Sequence, residues 1–559
     1  MQRIKNVATL IIIILALFLI RDNVEGRNYS IQKAGTAKTD EGKWNSFMAG
    51  NINTSRISFE VNGQQIYSVN GAYMSENLEV MIPAQYAGTV FDCAANLYAG
   101  NLLHLERNTD SVELSRSYNE FVKGGLYDKD GKLYVSALEV CHALNLNYEF
   151  DMEKNKLTIS TKNLSVKALP YKYDLRDRLR APMVKNQGSL GSCWAFAALS
   201  SLESALLPND SSLYSVDHML YNNSFNYDIN SGGGYTMGMA YLLAWQGPVL
   251  EKDDRYGDGK TDKTLKPVKH VQEIQLLKEN DIEVIKRAIY KYGAVQASFY
   301  NSLPNAFAAS PHFNKETNAY CYIGTNKANH EIIIVGWDDN YSKENFLNPP
   351  MGNGAFICQN SWGTEFGDDG YFYVSYYDSN IGLHTLAYTS VEDTDNYDSI
   401  YQTDLCGWVG QIGFNNPTAY AMNVYNAKSN ESLEAVGVYA TAEDTQYKVY
   451  VVRNFDSVSN VRASSAIEVA SGTLGNAGYY TLPIERVKLE AGKKFAVIVK
   501  LTVPNAVHPI AIECGGTTLA EKVDLTDGEG YISSNGIEWI SSEKEYECNI
   551  CLKAYTRKE

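Results

Sequence analysis

The sequence predicts an α+β protein in three parts: a small α+β N-terminal domain, a central domain of helices and strands, and a C-terminal antiparallel β-sandwich. Three observations predict it. The run Ala195-Phe196-Ala197-Ala198-Leu199, continued by Leu202 and Leu206, suits a buried helix with few charges. The run Ile332-Ile333-Ile334-Val335 is β-branched throughout, as a strand covered on both faces requires. From about Ser390 onward, alternation with short Gly/Asn/Asp turns dominates, as in Tyr447–Val452 and Lys494–Val499.

The chain has 559 residues, more than one hydrophobic core holds, so about three domains are expected. Hydrophobic content of 45% and aromatic content of 12%, with 40 Tyr, indicate globular packing. With 49 basic and 65 acidic residues the net charge is −16, which argues against a nucleic-acid partner and fits a soluble, exported surface. At the N-terminus, Arg3 and Lys5 precede an apolar run from Val7 to Ile20 and the polar Arg21-Asp22-Asn23. That run is short for a membrane helix of about 20 residues and reads as a signal peptide over 1–26, ending at Val24-Glu25-Gly26. An uncleaved anchor, which would leave the N-terminus at the membrane, is the alternative. The expected location is secreted or at the extracellular cell surface.

Residues 27–56 read as a polar spacer. Within 57–160 a pattern is weakly repeated: a strand leads into a helix carrying Leu138, Cys141 and Leu144, and two strands follow around Glu153-Lys154-Asn155-Lys156 to end at Ile159. An earlier copy runs from Val80 through Ala95 to Leu114, with Asn108-Thr109-Asp110 as its turn. Residues 161–170 form a linker before a central domain over 171–390, and the β domain occupies 391–559. Seven basic residues lie between Lys162 and Lys185, namely Lys162, Lys167, Lys172, Arg176, Arg178, Arg180 and Lys185. They read either as a solvated linker or as an exposed site for release of the N-terminal region.

Nine cysteines are scattered along the chain, an odd number that would leave one free if the others paired, yet spaced like isolated core residues. Cys548 and Cys551 sit three apart in an apparent strand and face opposite sides, so no zinc site is expected, and no cofactor or metal elsewhere.

The chemistry concentrates in Gln187-Gly188-Ser189-Leu190-Gly191-Ser192-Cys193-Trp194. Cys193 opens the predicted helix, where unpaired N–H groups and the macrodipole favour a thiolate. The Gln187 amide can donate to an oxyanion beside the Cys193 N–H. His330, at the mouth of the Ile332–Val335 strand, is the base candidate, expected to be exposed at a strand end. Asn360, in Gln359-Asn360-Ser361-Trp362-Gly363, is the orienter, an amide that fixes the imidazole without adding a carboxylate. Trp362 would cover that hydrogen bond and keep water away.

In this order, with 137 residues separating Cys193 from His330, these residues resemble the papain family of cysteine peptidases, where about 130–150 residues separate the two. The resemblance covers about 171–390 and implies a papain-like two-lobed catalytic domain, one helical lobe and one β lobe, hydrolysing a polypeptide substrate. It implies Cys193 as nucleophile, His330 as general base and acid, Asn360 as orienting amide and Gln187 as oxyanion donor. Gly233-Gly234-Tyr235 resembles the family's substrate-binding glycine pair, which with Trp362 would bound the substrate site. Tyr173-Asp174-Leu175-Arg176 resembles the start of the mature enzyme, and Glu283 to Ser298 its mid-domain helix and strand. The family usually bridges a cysteine three residues before the nucleophile to one just before the glycine pair. Here those positions are Leu190 and Ser231, so packing must supply the about 2–4 kcal/mol such a bridge contributes. The usual helical inhibitory pro-region is not recognisable.

By pattern alone, 57–160 resembles the small stalk domain of copper amine oxidases, which carries no copper chemistry. The β domain is similar to the lectin-like domain of clostridial surface cysteine peptidases and would take a cell-wall or glycan ligand. Two other functions compete: a transglutaminase or murein amidase, which also uses Cys and His, and a surface adhesin whose β domain is its main business.

Overall fold

A computed structural model describes residues 56–559, apart from 76–78, 108–109, 118–124, 153, 162–168, 516–522 and 527. The expected signal peptide, and all of the expected spacer but residue 56, lie outside the described residues. No helix among those described is long and apolar enough to cross a membrane.

In the N-terminal region the repeated unit is a strand, a helix and a hairpin. Ser136 starts the helix Ala137–Ala143 by accepting the Glu139 N–H at 3.3 Å. The buried stripe is Ala137, Val140, Cys141 and Leu144, with Leu138 only half-buried. The hairpin Leu146–Asp151/Lys156–Thr161 follows and pairs in parallel with Ser58–Val61. The earlier copy is the strand Val80–Pro83, the helix Ala87–Phe91 and the hairpin Ala94–Tyr98/Leu102–Arg107. Its turn is at Ala99-Gly100, both at positive φ. The turn expected at 108–110 instead joins Leu102–Arg107 to Asp110–Ser117, and its first two residues lie outside the described set.

This region docks on the central one. Asp92 pairs with Lys291 at 3.1 Å, and Tyr290 donates to the Glu106 carbonyl at 2.9 Å. Tyr86 donates to Glu392 at 3.0 Å. These contacts lie on the helix Ile282–Tyr292 and the strand end at Glu392. The basic stretch is drawn into the fold from Lys172 onward: Lys172 lies in a strand paired with Gly336–Asp338, and Arg176 pairs with Asp174 at 2.7 Å. Arg178 reaches Glu106 at 3.1 Å, Lys185 reaches Glu203 at 2.6 Å, and Arg180 is buried. An open linker does not fit residues 172–185, although Lys172, Leu179 and Met183 keep exposed side chains; Lys162 and Lys167 lie outside the described residues.

In the central region the helix Cys193–Leu206 is buried from Cys193 to Ser204. Its mostly small or apolar residues let it lie between the other helices and the sheet. The strand His330–Asp338 is buried from His330 to Trp337, flanked antiparallel by Val295–Phe299 and Ala355–Gln359. Covering on both faces is the environment the β-branched run calls for.

The C-terminal region stacks two antiparallel layers over a core that includes Leu433, Val436, Val449, Val497 and Leu552. The two strands read from the sequence fall within Thr445–Val452 and Lys494–Thr502. One layer is not separate from the central domain. The strand Ala477–Leu489 pairs with His270–Leu276, placing Glu273 opposite Tyr480. One 13-stranded sheet therefore runs through both domains. The strand Thr385–Glu392 passes through the expected boundary at 390/391.

Candidate active site

Cys193 is the first residue of its helix, and the Ser192 side chain makes no capping bond there. The Ser192 hydroxyl instead meets the Tyr256 hydroxyl at 3.0 Å. The first helical N–H groups are thus left for the thiol: those of Cys193 and Trp194, together with the Glu331 N–H from the strand His330–Asp338, act to lower its pKa. Burial outweighs them and pushes the thiol up to about 11.

His330 does not stand open at a strand end, as the sequence reading expected; it is 7% exposed. Trp362 tilts over its ring at 5.3 Å and Phe299 meets it edge-on at 5.7 Å. Burial pushes the imidazole down, opposed by the hydrogen bond to Asn360 and by the Glu331 charge. Nε2 lies 2.9 Å from Asn360 Oδ1. The same oxygen accepts the Ser361 backbone N–H at 2.8 Å, which fixes the amide orientation. Oδ1 only accepts, so Nε2 carries the hydrogen and Nδ1 is the nitrogen available to exchange a proton. Asn360 is itself held by donating its N–H to Gly370 O at 3.0 Å.

Gln187 is anchored at four atoms, its carbonyl oxygen accepting from the Tyr256 hydroxyl at 2.7 Å. Its backbone N–H donates to Ser361 O at 2.8 Å, its Oε1 accepts from Ser361 Oγ at 2.6 Å, and its Nε2 donates to Leu190 O at 2.8 Å. An amide nitrogen has two hydrogens, so one remains for a ligand. Ser361 thus touches both Asn360 and Gln187 and ties the orienter to the oxyanion donor. The sequence reading passed over this serine, although it lies inside Asn-Ser-Trp-Gly.

The loops that a disulfide would join are held by close backbone approach. A Cβ on Gly191 would lie 2.7 Å from Gly232 N and 2.8 Å from its Cα. Gly233 is equally confined, by Trp194 and Met237. At Gly234 a Cβ would meet nothing within 4 Å, so this backbone is open on one side. Trp362 joins the other wall through a bridge to Asn186.

Glu331 was also missed, because a glutamate beside a histidine carries no signal of its own. Its carboxylate is buried and accepts from Ser298 Oγ at 2.5 Å and Gln296 Nε2 at 3.1 Å. Burial raises its pKa to about 7. No group of His, Cys, Asp and Glu among the described residues is arranged to hold a metal ion. None of the nine cysteines is joined in a disulfide, and all but Cys514 are buried.

Two family models match the chain: papain family cysteine protease over residues 169–391 and lectin-like domain over 400–556. A solved clostridial cysteine protease, Cwp84 after propeptide cleavage, is 30% identical with a TM-score of 0.62, over 69% of this chain and 99% of that one. The cysteine protease and lectin-like domains of Cwp84, described as a surface-layer-associated protein of Clostridium difficile, match at 28% identity and a TM-score of 0.61. That likeness covers 70% of this chain and 90% of that one. A viral cathepsin of Epiphyas postvittana nucleopolyhedrovirus is 28% identical over 211 residues, which is 36% of this chain and 58% of the viral protein. The chain thus spans less than two thirds of that relative's length.

Proposed function

The chain belongs to the papain family of cysteine proteases and carries a lectin-like domain behind the protease domain, and on that premise we propose that it is a cysteine endopeptidase working outside the cell or at its surface. The observation that carries the reading is the 2.9 Å contact between His330 Nε2 and Asn360 Oδ1. It aims the imidazole, by its other nitrogen, for proton exchange with the thiol at the head of the Cys193 helix.

Each group alone is driven by burial toward its neutral form. Moving the proton from Sγ to Nδ1 creates two opposite charges side by side, whose attraction in a poorly solvated site favours the pair. The thiolate attacks the peptide carbonyl carbon, and the carbonyl oxygen takes the negative charge. Gln187 Nε2–H and the Cys193 N–H stabilise that oxyanion. His330 gives its proton to the leaving amine, and the C–N bond breaks to leave a thioester on Cys193. Water then loses a proton to His330 as it attacks the thioester, releasing the acid and restoring the thiol.

Gly233 and Gly234 are proposed to pair their backbone with the extended substrate, with Trp362 on the opposite wall. The lectin-like domain is proposed to hold a cell-wall or glycan ligand, which would place the peptidase at a surface. Peptide hydrolysis by the full chain and by Cys193→Ala tests the catalytic reading. Loss of hydrolysis with an unchanged melting curve is expected, and hydrolysis surviving the substitution refutes the assignment. Glycan-array binding by full-length Cys193→Ala tests the lectin-like domain.

A further inference from the structure

A buried carboxylate ordinarily has a cation beside it or is protonated, because ionisation without a partner is costly in a low-dielectric site. No lysine or arginine stands against Glu331; the charge that acts on it is that of its neighbour His330 when the imidazole is protonated. The hydrogen-bond donors to Glu331 are two neutral residues of the adjacent strand, Ser298, which lies opposite it, and Gln296, which lies opposite Ile333. The titratable groups coupled to it are Cys193 and Tyr235 from the helical lobe, and His330 and Tyr388 from the sheet lobe. None is a lysine or arginine. Lys185, which lines the same small cavity under the Cys193 helix, is engaged by Glu203 at 2.6 Å.

The same neighbours locate the carboxylate. It lies at the junction of the two lobes, next to the nucleophile and on the side of Tyr235. That tyrosine directly follows Gly233-Gly234 and stacks on His384 at 5.5 Å. A peptide paired with the glycine segment would pass its side chains over this spot. We infer that Glu331 is the acidic floor of a subsite that takes a basic side chain, lysine or arginine, of the substrate polypeptide. Ser298 and Gln296 aim the carboxylate, and the incoming ammonium or guanidinium supplies the permanent counter-charge that no lysine or arginine of the chain provides. The elevated pKa of Glu331 is what an acid awaiting that charge should have.

The inference rests on the peptidase reading and is tested separately from it. A peptide library varied at each position before the scissile bond is profiled with wild type and with Glu331→Gln. Wild type should favour Lys or Arg over Met or Gln at one position by about 10–100-fold, and Glu331→Gln should flatten that ratio. A second arm needs no variant: the wild-type ratio for basic over neutral peptides should fall as pH drops through about 7, where the carboxylate takes up a proton. Cleavage by wild type without a basic preference overturns the inference and leaves the peptidase reading standing, as does a preference that survives in Glu331→Gln or is flat with pH. Failure to cleave any peptide overturns both.

Discussion

His330 Nε2 and Asn360 Oδ1 are 2.9 Å apart, and the oxygen that accepts from the imidazole is held in turn by the Ser361 N–H. The relationship gives Asn360 an orienting role, separable from the chemistry of Cys193. Asn360→Ala should lower kcat/KM by about 10–100-fold, well short of the loss in Cys193→Ala. Steady-state kinetics on one peptide checks it, and equal losses in the two variants would remove the distinction.

Ser361→Ala should loosen Gln187, whose Oε1 accepts from Ser361 Oγ at 2.6 Å. An oxyanion donor is worth about 10²–10³ in rate, so losing its anchor should cost about tenfold, in kcat more than in KM. A change confined to KM would show that Ser361 serves substrate binding instead.

Gly191→Ala would place a methyl 2.7 Å from Gly232 N, where backbone meets backbone. Overpacking of this kind typically costs about 1–3 kcal/mol. Denaturant unfolding of the full chain should show a loss in that range, with weaker substrate binding as the glycine segment shifts. An unchanged midpoint would mean that the loops part easily.

Glu331 gives a pH-dependent stability term whose sign follows from its pKa, about 7 in the fold against 4.5 for the ordinary group. Between those values the folded chain binds the proton and the unfolded chain releases it. Stability therefore falls as pH rises from 4.5 to about 7 and stays lower above, by about 3 kcal/mol. In a Cys193→Ala background, Glu331→Gln should raise the melting temperature at pH 8 and lose that advantage toward pH 5. A pH-independent difference would contradict the ionisation of this residue.

Lys553 and Asp404 form an ion pair at 2.9 Å with both side chains at most 1% exposed. Lys553→Met would leave Asp404 buried and alone, at a cost of about 3–5 kcal/mol. Unfolding monitored by fluorescence should show it. A loss under 1 kcal/mol, roughly a surface pair's worth, would mean that water reaches the site.

The residues legible in the sequence are those whose meaning is local. Cys193 stands before a helical run, His330 before a β-branched run, and Asn360 in a compact turn. The unread ones depend on register. Glu331 is an acid beside a histidine until pairing with Ser298 shows where its carboxylate is held. Burial of His330 likewise comes from Phe299 on the neighbouring strand and from Trp362 in the segment after Ala355–Gln359. Alternation located the strands at Tyr447–Val452 and Lys494–Val499, yet nothing periodic indicates that Ala477–Leu489, between them, pairs with residues some two hundred positions earlier.

That pairing has a mechanical consequence. Domains joined by a flexible tether can swing, and a tethered blade sweeps whatever its leash allows. Here Glu273 and Tyr480 are neighbours in one sheet, so rotation about the junction would have to break main-chain hydrogen bonds. If the C-terminal domain grips a surface, the cleft is carried at a set height and heading above it. Which bonds are cut is then decided by geometry as well as by sequence, since only chain segments presented at that height reach Cys193.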